Sequence, residues 1–315
     1  MNKKNYIAVL MGLCLVLCLC AYWLWEKDSN VTDTNDVETK NVEQQIPDAM
    51  GVEESSVDNG VLQEKIFDIL GDESKNYSVY FCLVDDKQAP LIINNQSRRS
   101  ASMIKVFIMA YAMEMAKEDK ISLDSFITLK SSDKVGGAGV IAGWKTGTEI
   151  SIRDLVKLMI TESDNTATNI LIRYLGMENI NLYISSSGYN ETMLRREMMD
   201  FAAVAAGKEN CTSVNDLGVF FSRLANHSCV GQYYDDLMLE ILLQQTDTEV
   251  FPAAVPNVKI AHKTGELDNL YDDGGIVFKE GTPFVIVIMN DDISRGKAVV
   301  QMKRIFSLCY DYNAH

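Results

Sequence analysis

The stretch VKIAHKTG (258–265), followed by GGIVFKEG (274–281) and PFVIVIMNDD (283–292), decides the fold. Each segment is rich in β-branched residues, has strand length, and is bounded by Gly, Asp or Pro. The three read as consecutive strands. Beyond them VVQMKRIFSLCYDY (299–312) reads as a closing helix. Toward the N-terminus, YSVYFCLVDD (77–86) and APLIINN (89–95) read as a strand pair around a turn, and VLQEKIFDIL (61–70) as an amphipathic helix ended by Gly71. The intervening chain reads as helical. Met103 to Ala116 is apolar nearly all round, the mark of a buried helix. Ser151 and Asp154 form a capping box for SIRDLVKLMI, and Asn165 to Leu175 continues as helix until Gly176. Strands at both ends with helices between imply an α/β (α+β) fold. An antiparallel sheet is built from both chain ends and flanked by helices, beside a mostly helical lobe.

The 315 residues are 47% hydrophobic and carry a net charge of −15, which is globular composition. That charge, with no long Lys/Arg block, repels a phosphate backbone, so no nucleic-acid partner is expected. Lys3 and Lys4 precede an uncharged run from Tyr6 to Trp25, long enough to span a bilayer and closed by Tyr22, Trp23 and Trp25. Residues 1–25 therefore read as an N-terminal membrane anchor. A cleaved signal segment is the rival reading, but the core is long and no A-x-A site follows. Residues 26–60 are acidic and polar without a sustained apolar period, a solvated linker. The folded domain is then 61–315, outside the membrane, single-pass and monomeric, or secreted if the segment is cleaved. Outside the apolar run, Cys82, Cys211, Cys229 and Cys309 are scattered, with no C-x-x-C. They read mostly as free, buried thiols, and no metal or cofactor is implied.

Only three histidines occur, His227, His262 and His315, with no G-x-S-x-G or H-E-x-x-H. A nucleophilic serine would then need a lysine as base. S-x-x-K puts an amine beside a hydroxyl on one helix face. It occurs at Ser102–Lys105, Ser131–Lys134 and Ser294–Lys297, but only the first opens a buried helix. Ser163-Asp164-Asn165 is the one S-D-N; its hydroxyl can relay a proton, and it can equally serve as a helix N-cap. K-T-G occurs at Lys145–Gly147, in a Gly-rich loop, and at Lys263–Gly265, ending a strand. A strand edge offers N–H groups to an extended substrate, its lysine attracts a carboxylate, and its glycine permits close approach. Lys263 reads as functional and Lys145 as a surface residue.

S-x-x-K, S-D-N and K-T-G, in this order, resemble the motif set of class A β-lactamases and their penicillin-binding relatives. ASMIKVFIMAYAM, LVKLMITESDNTATNILIRYLG and AHKTGEL carry the resemblance across nearly all of 61–315. It implies a β-lactamase/transpeptidase-like fold with Ser102 as the nucleophile that opens a β-lactam ring. Lys105 is implied as its base, and Ser163 as proton shuttle to the leaving nitrogen. Asn165, Lys263, Thr264 and Gly265 are implied as substrate contacts, with backbone N–H groups of Ser102 and Glu266 as the oxyanion hole. Two lysines at one site should favour a neutral Lys105.

One departure concerns release of the acyl group. The family's efficient hydrolases carry a glutamate in E-x-x-L-N after S-D-N. Here ETMLRREMMDFAAVAAGKEN offers Glu197 without the asparagine, and alignment on Arg196 puts Met198 at the glutamate position. Glu197 serves as the release residue only if the loop is one residue shorter. Asp272 and Asp273 have no assigned role and read as turn-forming aspartates. The leading expectation is a β-lactam hydrolase. The alternative is a peptidase acting on peptidoglycan stem peptides with slow deacylation; an acylated sensor is a third and weaker reading.

Overall fold

The computed structural model describes residues 59–84 and 88–312. The anchor and linker readings for 1–25 and 26–60 lie outside the described residues, apart from the last two linker positions. Among the described residues no helix is long and apolar enough to cross a membrane.

The described residues open with α1 (Asn59–Leu70), β1 (Tyr77–Leu83), β2 (Leu91–Ile93) and β3 (Arg98–Arg99). The middle holds α2 (Lys105–Lys117), β4 (Phe126–Thr128), β5 (Glu149–Ser151), α3 (Ile152–Thr161), α4 (Asn165–Leu175) and α5 (Met177–Ser186). It continues through α6 (Phe201–Ala205), β6 (Cys211–Thr212), α7 (Val214–Ala225), α8 (Gln232–Leu242) and α9 (Phe251–Ala254). The chain closes with β7 (Lys259–Leu267), β8 (Leu270–Phe278), β9 (Phe284–Asn290) and α10 (Arg295–Tyr312).

The main sheet runs β2-β1-β9-β8-β7, antiparallel throughout, so the first strands join the last through β1 and β9. Tyr77 faces Asn290 and Leu83 faces Phe284. The apolar run of β9 follows from its central place. Phe284, Ile286 and Ile288 enter the core beneath α1 and α10, while Val285, Val287 and Met289 enter the core of the helical lobe. A strand covered on both faces needs no polar alternation. The order leaves β7 at the edge, with one side free of strand partners.

Two expectations need correction. Asp272 and Asp273 are not turn residues: both lie inside β8 and are 0% exposed. Of the four scattered cysteines only Cys309 is fully buried; none forms a disulfide, and the other three are half-buried.

Candidate active site

The apolar character of α2 draws its first residue into the core. Val106 through Ala110 are 0% exposed, and so is Lys105. Ser102 precedes it on a 3-10 turn, Ala101–Ile104, half-buried at the wall of a cleft of ≈350 Å³. The turn is tethered by Ser100 N donating to Asn210 O at 2.9 Å and Met103 N donating to Ser100 O at 2.9 Å. Ala101 carries φ 41°, a left-handed backbone that costs a non-glycine residue about 1 kcal/mol or more.

The residues of S-D-N divide between a helix cap and the cleft. Asp164 is the N-cap of α4, accepting from Ala167 N at 2.8 Å, and its other oxygen accepts from Val140 N at 2.6 Å and Ile141 N at 2.8 Å. A Cβ on Gly139 would fall 2.3 Å from Asp164 Cγ, so that loop passes only as glycine. Ser163, with φ 51°, turns its hydroxyl toward both lysines. Lys105 Nζ lies 3.1 Å and Lys263 Nζ 3.2 Å from Ser163 Oγ. Lys105 Nζ also donates to Ser163 O at 2.7 Å and Asn165 Oδ1 at 3.0 Å. Asn165 in turn donates through Nδ2 to Gly136 O at 3.2 Å, bracing that loop.

Lys263 is 0% exposed on the edge strand β7, and its Nζ donates to Thr264 O at 2.7 Å. Gly265 lets that strand lie against the serine turn. A Cβ there would stand 3.1 Å from Ala101 Cβ and Met103 Cγ, and 3.3 Å from Ser100 O. Thr264 and Glu266 line the cleft with Ser102, Ser163 and Asn165. Lys145, by contrast, is exposed on its loop.

Burial drives the Lys105 amine well below its ordinary range, and the charge of Lys263 adds to the fall; Asp164 opposes it. The expected like-charge effect is present but second to desolvation. Burial also lowers Lys263, to about 8, with Asp247 and Asp273 holding it up. The two amines thus stand either side of one hydroxyl, with the neutral form favoured more strongly at Lys105 than at Lys263.

Glu197 does not reach this cleft. Its carboxylate pairs with Arg173, whose Nε donates to Glu197 Oε1 at 2.8 Å, and Arg173 is also 3.1 Å from Asp133. Met198 lines the cleft instead. Asn169, buried on α4, clamps the Met198 backbone, donating to its O at 3.0 Å and accepting from its N at 2.7 Å. The cleft wall formed by Glu162 and Gln245–Asp247 was not legible in the sequence. Gln245 Nε2 donates to Ile160 O at 2.9 Å and Thr246 N to Thr161 O at 3.1 Å, stitching that segment to the end of α3. Tyr271 OH donates to Asp247 at 2.7 Å. His262 is buried against Asp273, Nδ1 to Oδ1 2.8 Å, and His227 is exposed beside Asp236 at 3.3 Å. His315 lies outside the described residues.

The profile of the beta-lactamase enzyme family (Beta-lactamase2) matches residues 61–313. No curated protein sequence matches significantly. Among solved structures, PBP-A superposes with a TM-score of 0.73 at 24% identity, covering 80% of this chain and 95% of that one. A β-lactamase from Sphaerobacter thermophilus gives 0.74 at 22%, covering 82% and 99%. A class A β-lactamase representative from Bacteroides cellulosilyticus gives 0.73 at 21%, also covering 82% and 99%. At these identities the likeness speaks for the fold: β-lactamase/transpeptidase-like, with the antiparallel sheet and helical lobe expected from the sequence. With the profile spanning nearly the whole folded part, the chain belongs to the beta-lactamase enzyme family and is a hydrolase of the serine β-lactamase type.

Proposed function

We propose that the protein is a class A-type serine hydrolase that forms an acyl-enzyme on Ser102 with β-lactams. The observation that carries this is the unbroken line Lys105 Nζ, Ser163 Oγ, Lys263 Nζ at 3.1 and 3.2 Å. A neutral Lys105 takes the proton of Ser102 as its oxygen attacks the lactam carbonyl. Ser163 passes a proton to the departing nitrogen and is resupplied across its contacts with the two amines. A charged Lys263, with Thr264 and the close approach allowed by Gly265, receives the substrate carboxylate. Backbone N–H groups of Ser102 and Glu266 take the developing oxyanion, each donor being worth about 10²–10³ in rate. Asn165 holds Lys105 and one cleft wall together.

A second reading is favoured by one observation, Met198 at the cleft wall with Glu197 tied to Arg173. Without a carboxylate on that side, no side chain of the loop activates water, and the acyl group persists. The chain would then act as a penicillin-binding peptidase on peptidoglycan stems. PBP-A, similar in fold, is described in a mutant form as an acyl-enzyme complex with penicillin G. In either reading residues 1–25 anchor a monomer whose catalytic domain faces away from the cytoplasm, and no metal, cofactor or nucleic acid takes part. The test mixes the full chain with benzylpenicillin and follows its intact mass, with Ser102→Ala as control. An adduct that clears while hydrolysed drug accumulates supports the hydrolase, a persistent adduct supports the second reading, and no Ser102-dependent adduct overturns both.

A further inference from the structure

One buried side-chain polar atom lacks a hydrogen-bond partner among the described residues: Asp272 Oδ2. Its side chain is 0% exposed, and its other oxygen accepts from Asn290 N at 2.8 Å. A lone orphan of this kind costs about 1–3 kcal/mol, so its presence calls for a reason.

The sheet register says what Asp272 faces. Asp272 pairs with Gly265, so both project to the same face. The direction a Cβ would take from Gly265 meets Ala101, Met103 and Ser100, at 3.1, 3.1 and 3.3 Å. Gly274, two residues along β8 on that face, points a Cβ at Met103 Cε, 3.1 Å away. Asp272 is therefore flanked by two glycines that let the serine turn lie on the sheet, and its carboxyl belongs to the face beneath that turn. The Ser100 backbone is bonded at both N and O, each at 2.9 Å, and the weakly bonded group of the turn is its hydroxyl. Ser100 is 0% exposed, and its hydroxyl has only a 3.4 Å contact to Ala101 O. Ala101 is the strained residue just before Ser102.

The charged groups acting on this carboxyl are Arg98, Asp291 and Arg99. Arg98 donates to Ser78 Oγ at 2.8 Å and Lys75 O at 3.1 Å, and Arg99 pairs with Asp291 at 2.5 Å. Burial outweighs both arginines and the Asn290 N–H, and lifts the carboxyl well above the usual range. Burial thus favours the protonated form of the carboxyl, and in that form Oδ2 is a donor.

Resting on the hydrolase reading above, we propose that Asp272 is a positioning residue whose Oδ2–H supports the Ser100–Ala101 backbone when Ser102 takes up the acyl group. It touches no substrate; it acts through the turn. An Asn in its place keeps an acceptor for Asn290 N and a donor at the Oδ2 position, whereas a Leu keeps the bulk and loses the donor.

The experiment measures the acylation rate constant and the apparent dissociation constant for benzylpenicillin in the full chain, Asp272→Asn and Asp272→Leu. Acylation in D272N is expected within about twofold of wild type. In D272L it is expected about tenfold slower at an unchanged dissociation constant. At saturating drug the wild-type rate constant falls further at high pH than that of D272N, as Asp272 ionises and loses its donor, while the limb set by Lys263 is common to both. A purely structural role would move the melting temperature without this dependence on a donor. The proposal is overturned if D272L folds and acylates at the wild-type rate, or if D272N and wild type share one alkaline limb. Should D272L not fold, the alkaline limb alone decides. A wild type never acylated at Ser102 overturns the hydrolase reading and this inference with it; an acylated wild type with indifferent variants overturns only the inference.

Discussion

Replacing Asn169 by Ala tests whether the loop at the cleft is held as the structure implies. Asn169 is 1% exposed and Met198 7% exposed, so neither finds water easily. Its amide makes two hydrogen bonds to the Met198 backbone, 3.0 Å to O and 2.7 Å from N. The substitution strands one buried N–H and one buried C=O, each worth about 1–3 kcal/mol when left unpaired. Partial relaxation of the loop recovers some of that, leaving a net loss of about 3 kcal/mol. For a domain of this size the thermal midpoint then falls by roughly 6–12 °C. Urea titration of wild type and N169A, read by circular dichroism and with equal slopes, supplies the free energy. A loss under about 1 kcal/mol would refute the reasoning, because it would mean that the clamp is open in solution. The same variant should bind benzylpenicillin several-fold more weakly, since Met198 leaves its place in the wall.

Three further outcomes follow from the site. Met198→Glu puts a carboxylate where the apolar side chain lines the cleft and should shorten the life of the acyl adduct by about a hundredfold, as a general base does; the adduct mass, followed after drug removal, checks this, and an unchanged half-life counts against the assigned position. Lys263, lowered to about 8, is charged below that pH and neutral above it. Its attraction for a substrate carboxylate is therefore present at pH 7 and lost as pH rises through 8. The apparent dissociation constant should climb above pH 8 while Lys263→Arg moves that limb upward by about a unit or more, and identical limbs in the two proteins would sink the assignment. Gly265→Ala forces a Cβ to within 3.1 Å of Ala101 and Met103. Acylation should slow by about 10–100-fold with about 1–3 kcal/mol lost in stability, as kinetics and melting curves would show.

What could be read from the sequence was local. Ser102, Lys105, Ser163 and Lys263 each sit in a three- or four-residue pattern whose backbone context is also local: a buried helix start, a helix cap, a strand end. Lys105, Ser163 and Lys263 meet and Ser102 lines the same cleft, because each pattern constrains its own geometry. Asp272 and Asp273 were misread because aspartate is rare in strands; nothing nearby in the chain signals that Asp273 meets His262 and that Asp272 lies under the serine turn. Glu197 and Met198 differ by one residue, and a one-residue change of direction in a loop depends on distant partners, here Arg173 and Asn169. The wall from Gln245 to Asp247 is set by hydrogen bonds to α3, some 85 positions away in the chain, which no periodicity carries.

The pairing of β1 with β9 has a consequence for the order in which the molecule comes into being. A growing chain holds Ser102, Lys105 and Ser163 long before it holds Lys263, and β9 arrives later still. At ordinary synthesis rates, about 5–20 residues per second, the stretch from Lys263 to Asn290 takes roughly one to five seconds. Through that interval β1 has β2 on one rim and nothing on the other. A chain stalled before β7 therefore carries a serine and its lysine without a second lysine or a sheet edge. It also exposes an unpaired strand rim of the kind that recruits other chains.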